Sequence, residues 1–285
     1  MKGYTKKNIT KLELTATKIR KHIIEMLYRA KSGHPGGSLS VVDAIVALYF
    51  IQMKHNPEKP RDPNRDRFIL SKGHAAPTLY AALAECGYFD VKLLNRLREI
   101  NCILQGHPVC TCIPGVEAST GSLGHGLSFA NGVALAGKLD KKNYHVYCMM
   151  GDGEIAEGQV GEAAAAASHY KLDNITAMID RNYLQIDGNT EDVLKLEPLD
   201  KRWRSFGWYT IEIDGHDIKK IIEAFEEAKK IKNKPTMIIL NTTKGKGVSF
   251  MENNVDFHGV PPNEMERNLA IKELTALENK LEAEL

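Results

Sequence analysis

Apolar runs of strand length alternate with helical patterns along most of the chain, and that alternation is the tightest constraint on its fold. Strand-like runs occur at Arg67 to Ser71, Tyr144 to Met150, Ile175 to Ile179, Trp208 to Ile213 and Thr236 to Leu240. Helical patterns fill Pro77 to Leu83, Glu157 to Tyr170 and Ile218 to Ile231. Ahead of them, Ile19, Ile23, Met26, Leu27 and Ala30 fall on one helical face. Strands that alternate with helices pair in parallel through right-handed crossovers. The expected class is α/β, a mainly parallel sheet flanked by helices. No internal repeat or low-complexity linker divides the 285 residues. They read as one domain over 1–285, with helical extensions at the N-terminus and over Pro262 to Leu285.

Two local features carry expectations of their own. The run Ser32-Gly33-His34-Pro35-Gly36-Gly37 predicts a break in regular helix. Ser40, three residues before Asp43, has the spacing of a capping box for a second helix through Val46, Leu48 and Tyr49.

Composition removes several function classes. Apolar residues at 43% and charged residues at 26% suit a globular core and exclude a disordered chain. Lys+Arg 38 against Asp+Glu 36 leaves +2, so no whole-chain field draws the protein to nucleic acid or membrane. No apolar run approaches a membrane span, Val41 to Ile51 being interrupted by Asp43. The basic N-terminus lacks the apolar stretch of a signal peptide, which predicts a cytoplasmic, soluble protein. Five cysteines without a CxxC pair argue against a disulfide framework and structural zinc, and Cys110 and Cys112 read as free thiols.

The chemistry begins at Met150-Gly151-Asp152-Gly153-Glu154, where an apolar strand ends and a helix soon starts. Ligands of open α/β sheets bind at the carboxyl ends of strands, and a helix N-terminus there favours phosphate. A bare Asp152 carboxylate repels phosphate, so a bridging cation resolves the conflict. The next strand runs into Asp180-Arg181-Asn182-Tyr183-Leu184, where Asn182 offers a second hard oxygen and a backbone carbonyl a third. Mg²⁺ accepts such a set together with diphosphate oxygens and water. Taken singly, each feature has a plainer reading. Gly-Asp-Gly is a common turn. Six of the ten histidines adjoin a glycine in loop-like contexts. Lys244 reads as a surface charge, and Glu157 as a carboxylate at a helix N-terminus.

Together they do not read plainly. Gly-Asp-Gly followed by Asn182 resembles the thiamine diphosphate motif. His34 in SGHPGG, His74 in SKGHAAPTLYA, His107 in QGHP, Gly121 to Gly124 in PGVEASTGSLGHGLS, Lys244 in TTKGKG and His258 in DFHG extend the likeness to transketolase. It runs from about Ile19 to Pro261 and covers that family's N-terminal, pyrophosphate-binding part. The resemblance implies a thiamine-diphosphate-binding fold. It implies Asp152, Asn182 and the Leu184 carbonyl as Mg²⁺ ligands, and a diphosphate contact at Gly153. Gly121 and Leu123 match the loop over the cofactor rings, while His74 and Lys244 match cofactor contacts. His34, His107 and His258 match histidines of the substrate channel. Glu157 matches a buried carboxylate linking two active sites across a dimer. His125 stands where many relatives carry Gln, and it is assigned no catalytic role. His216 also adjoins a glycine and, with His22, His55 and His169, reads as structural.

The activity so implied is transfer of a two-carbon ketol unit from a ketose phosphate to an aldose acceptor. The carboxylate that activates the cofactor, and most sugar-phosphate-binding arginines, lie in domains this resemblance does not reach. A partner subunit carrying the pyrimidine-binding and C-terminal domains is therefore expected, in a two-plus-two heterotetramer. Three alternatives stand beside this reading: the α subunit of a 2-oxo acid dehydrogenase, a 1-deoxyxylulose-phosphate synthase relative, and a non-catalytic paralogue. The SGHPGG and GHP histidines favour transketolase over the first. The loop sequence argues against the second, and the intact metal pair and histidine set against the third.

Overall fold

The computed structural model describes residues 4–186 and 188–285; Met1 to Gly3 and Asp187 lie outside the described residues. Five strands form one parallel sheet: β1 (Arg67–Leu70), β2 (Val146–Gly151), β3 (Ile175–Arg181), β6 (Tyr209–Asp214) and β7 (Thr236–Asn241). Between β3 and β6 lies a two-stranded antiparallel ribbon, β4 (Leu184–Gln185) and β5 (Gly188–Asn189). The sheet order is β1-β2-β3-β7-β6. All five strands expected from the sequence are present, each within two residues of its expected ends.

Both faces of the sheet are apolar, as a parallel sheet covered on two sides requires. Side chains alternate across the pleat. Val146, Cys148, Met150, Ile175, Ala177 and Ile179 enter one core. Tyr147, Met149, Met178, Ile238 and Leu240 enter the other. The first core is closed by α5 (His125–Leu139) and α6 (Gly158–His169), which return the chain from β1 to β2 and from β2 to β3. The second is closed by α1 (Lys6–Ala30), α3 (Val42–Ala47), α4 (Ala76–Glu85) and the helix Ile218–Ala228. That last helix connects β6 to β7, the one step that runs backward across the sheet. A right-handed crossover in the reverse direction places its helix on the opposite face, as observed.

The N-terminal segments differ from expectation in two places. SGHPGG does not break helix throughout: Pro35–Leu39 forms a short helix, α2, with Pro35 in its first turn. Its glycines serve close approach. A Cβ on Gly36 would lie 2.9 Å from Lys244 and 3.0 Å from the Phe257 carbonyl, and one on Gly37 3.3 Å from His74. The capping box at Ser40 does not form either. The Ser40 hydroxyl turns to Asp180 (2.7 Å), and Asp43 pairs with Arg20 (2.6 Å) and His216 (2.8 Å). Both side chains are drawn into buried polar networks that outcompete a local cap. The segment Pro35–Gln52 is long and apolar enough to cross a bilayer, but 83% of it is buried inside the protein. The five cysteines are free.

The C-terminal helix Glu264–Ala283 starts in a reciprocal cap between Asn263 and Glu266. It packs along α1, tied by Lys21 to Glu278 at 2.7 Å.

Candidate active site

Because the sheet is parallel, the carboxyl ends of β1, β2, β3 and β7 share one edge. Register sets Leu70 beside Met149, Gly151 beside Asp180, and Arg181 beside Asn241. The residues that follow these ends, Lys72, Asp152, Asn182 and Lys244, therefore converge. They line a cavity of about 400 Å³. All twelve residues singled out in the sequence line that same cavity: His34, His74, His107, Gly121, Leu123, Asp152, Gly153, Glu157, Asn182, Leu184, Lys244 and His258.

The carboxylate and the amide are wound into one turn. Asp152 Oδ1 accepts the Gly153 N–H at 2.8 Å, and Oδ2 accepts the Tyr183 N–H at 2.7 Å. Asn182 Oδ1 accepts the N–H of Leu184 at 3.1 Å. Tyr183, at φ 64°, makes the bend that turns both amides inward. Burial, aided by the Asp180 charge, raises the Asp152 pKa despite those hydrogen bonds and Arg181 at 3.4 Å. An anionic carboxylate held against its own solvation preference favours a cation.

The four cavity histidines are all held below the usual imidazole range, which favours the neutral ring. Burial, with Arg98 and His107 nearby, holds His34 at about 4. Burial and the Lys244 charge hold His258 at about 3. His74 is pushed well below its usual value by burial and Lys72, and His107 is lowered by burial and Arg98. The rings of His34, His74 and His258 form a cluster with centroids 5.2 to 5.9 Å apart. A neutral imidazole carries one donor and one acceptor, the equipment for exchanging protons with hydroxyls and carbonyls. His34 Nδ1 is buried and has no hydrogen-bond partner among the described residues.

Lys244 is buried, and its ammonium donates to the Leu184 carbonyl at 3.0 Å and contacts His258 Nδ1 at 2.7 Å. Burial and the neighbouring Lys72 charge bring it down to about 8. The donor set tests the fit of a metal and a diphosphate. One carboxylate, one amide oxygen and one backbone carbonyl are hard oxygens, too few to fill an octahedron without phosphate and water. No group of three His, Cys, Asp or Glu poised for a metal occurs among the described residues. Two buried ammonium groups beside that set suit the anion. The set fits Mg²⁺ and a diphosphate.

Glu157 lines the cavity but is exposed in the single chain, at the N-cap of α6. His125 lies outside the cavity, in an adjoining depression of about 820 Å³ that shares His107 and Gly121. His216 is structural: Nδ1 meets Asp43 and Nε2 accepts the Thr243 N–H at 2.8 Å, next to Lys244.

Sequence reasoning missed three buried polar residues. Glu154 accepts from the Ser71 hydroxyl, and from the Gly124 and Gly151 N–H groups at 2.9 Å each. It ties the ends of β1 and β2 to the loop carrying Gly121 and Leu123. Lys72 and Asp180 form an ion pair of 2.6 Å beneath the cavity. No spacing rule marks them, because most of their partners come from distant parts of the chain.

Residues 12–280 match the family described as transketolase, thiamine diphosphate binding domain. The chain belongs to the transketolase family. It is 45% identical to an apulose-4-phosphate transketolase subunit of Phocaeicola vulgatus, over 96% of this chain and 97% of that one. It is also 45% identical to a 6-deoxy-6-sulfo-D-fructose transketolase subunit of a Clostridium species, over 92% of this chain and 96% of that one. A crystal structure of a Pichia stipitis transketolase mutant superposes with a TM-score of 0.86 at 34% identity, over 96% of this chain. Only 44% of that chain is covered, so this chain spans less than half of the Pichia transketolase but nearly all of the Phocaeicola subunit. The transketolase relationship accounts for the thiamine-diphosphate-binding fold and for the cavity's place at the strand ends.

Proposed function

We propose that this chain is the N-terminal subunit of a thiamine-diphosphate-dependent transketolase that transfers a two-carbon ketol unit between sugars. The observation that carries the reading is the convergence of all twelve candidate residues in one cavity. The near-complete match to a relative that is itself named as one subunit of a transketolase supports the division between chains.

Asp152, Asn182 and the Leu184 carbonyl hold Mg²⁺ in this reading. Gly153, His74 and Lys244 face the diphosphate, and Gly121 and Leu123 cover the cofactor rings. When bound, thiamine diphosphate supplies a carbon that stores the electron pair released as a ketose carbon–carbon bond breaks. The chain's own work is positioning and proton traffic. His34, His107 and His258 orient sugar hydroxyls and pass protons to and from them; His34 Nδ1 has no partner among the described residues and is available for that use. Lys244 neutralises negative charge where water is scarce.

A partner chain belongs to the same proposal. Leu123 and Ile186 line the cavity and are exposed, as is Phe129 in the adjoining depression. Apolar exposure around a polar cavity suits a docking chain. The partner supplies the pyrimidine-binding and C-terminal domains, the assembly is a heterotetramer, and Glu157 becomes buried within it. Residues 1–285 act as a single pyrophosphate-binding domain with helical extensions, in the cytoplasm. The test is a ketol-transfer assay with Mg²⁺, thiamine diphosphate and ketose-phosphate donors, with and without a candidate partner chain. Turnover on mixing supports the reading; turnover by the isolated chain defeats the division between chains.

A further inference from the structure

Asp180 is fully buried and gathers four donors from four stretches of chain. Oδ2 accepts from Lys72 Nζ at 2.6 Å, Ser40 Oγ at 2.7 Å and Asn182 Nδ2 at 2.9 Å. Oδ1 accepts from Thr242 Oγ1 at 2.5 Å. An ionised carboxylate only accepts, so Asn182 can meet it through its NH2 group alone. The amide oxygen is then turned to the other side. There it takes the Leu184 N–H with one lone pair and keeps the second.

We propose that Asp180 is a positioning residue for the metal: it locks the Asn182 amide with its oxygen available to a divalent cation. This inference rests on the reading of Asp152, Asn182 and Leu184 as Mg²⁺ ligands. An amide turned through 180° would offer two N–H donors, which cannot ligate a cation. The Asp180 backbone carbonyl also accepts from Asn182 Nδ2, at a long 3.4 Å, and favours the same orientation less strongly. The Leu184 N–H prefers the oxygen, but a single hydrogen bond of 3.1 Å is the weaker constraint. Lys72 sustains the lock. Its ammonium lies 2.6 Å from Oδ2, with both groups buried, so the carboxylate is held as an acceptor. Three strand ends and the α2–α3 junction thus report on a single amide rotamer. Outer partners of this kind commonly change metal affinity 10- to 100-fold.

The test is a polarity exchange, read by calorimetric titration of Mg²⁺ and thiamine diphosphate into the full chain. Asn182→Asp sets two carboxylates face to face, and it is expected to weaken Mg²⁺-dependent cofactor binding by about 30-fold or more. Asp180→Asn alone retains an oxygen for Asn182 and is expected to cost less than about 5-fold. Combining the two restores a donor opposite an acceptor, and it should recover at least about 10-fold over Asn182→Asp. Additive effects, or an Asn182→Asp variant that binds as well as wild type, overturn the proposal. A second measurement needs no variant that folds poorly. The Asn182 side-chain amide protons of the unliganded chain should exchange with solvent at least about 10-fold more slowly than exposed amides. Exchange at the exposed rate overturns it. Wild type without Mg²⁺-dependent binding defeats the functional reading and the lock with it. Wild-type binding with an additive cycle defeats the lock alone.

Discussion

Replacing Asp152 with Asn should cost the unliganded protein little and cost the liganded protein its stabilisation. The Asp152 pKa is raised in the fold, by burial first and by Asp180 second. The sign follows from linkage: a raised carboxylate pKa contributes stability below the unfolded value, and that contribution is lost as pH rises through the folded value. At pH 7 the charged form is thus a liability. Asp152→Asn removes it and keeps an oxygen for the Gly153 N–H or the Tyr183 N–H. The partner left over becomes an unpaired donor, a loss of about 1–3 kcal/mol that the relieved burial of charge offsets. The apo variant should melt near wild type.

Ligand linkage behaves differently. At a cofactor concentration one hundred times Kd, wild type gains about 2.7 kcal/mol, or roughly 5 °C for a chain of this size. Loss of the one carboxylate ligand should raise Kd at least about 100-fold, which cuts the gain to about 0.4 kcal/mol, roughly 1 °C. The assay is thermal melting of both proteins with and without Mg²⁺ and thiamine diphosphate. An Asp152→Asn variant that keeps the full ligand-induced shift would refute the reasoning. So would an apo variant destabilised by more than about 3 kcal/mol, since Asp152 would then be a structural cap rather than a ligand.

Three further outcomes are expected. His107→Ala should lower turnover of the assembled enzyme by about 10²–10⁴-fold while leaving cofactor affinity within a few-fold, checked by kinetics alongside calorimetry. Lys244 sits at about 8 in the unliganded chain, so diphosphate affinity should weaken as pH rises through 8, and Lys244→Met should abolish that pH step. Gly73→Ala would place a Cβ 2.7 Å from the Thr120 carbonyl, next to the loop bearing Gly121; a destabilisation of about 1–3 kcal/mol in urea unfolding is expected.

What the sequence made legible was local. Gly151-Asp152-Gly153 and Asn182 could be found because each sits where a strand pattern ends, and a parallel sheet sends such ends to one edge. The histidines were legible only through order and resemblance, since a glycine-flanked histidine is common in loops. What escaped was three-dimensional. Ser40 and Asp43 have the spacing of a cap, but Asp180 and Arg20 offered them stronger partners across the fold. SGHPGG reads as a helix breaker, yet Gly36 and Gly37 are glycines because Lys244 and His74 pack against them. Glu154, Lys72 and Asp180 carry no pattern at all, and each acquires meaning only when the ends of β1, β2, β3 and β7 meet.

The central claim is that the cavity at these strand ends is where Mg²⁺ and thiamine diphosphate bind. Crystals of the chain grown with thiamine diphosphate and Mn²⁺ in place of Mg²⁺ test it most directly, through the anomalous scattering of the metal. One strong peak is expected about 2.0–2.2 Å from an Asp152 carboxylate oxygen, Asn182 Oδ1 and the Leu184 carbonyl, the distance of a hard cation from its oxygens. A peak held by other residues, with these three left without metal, would contradict it.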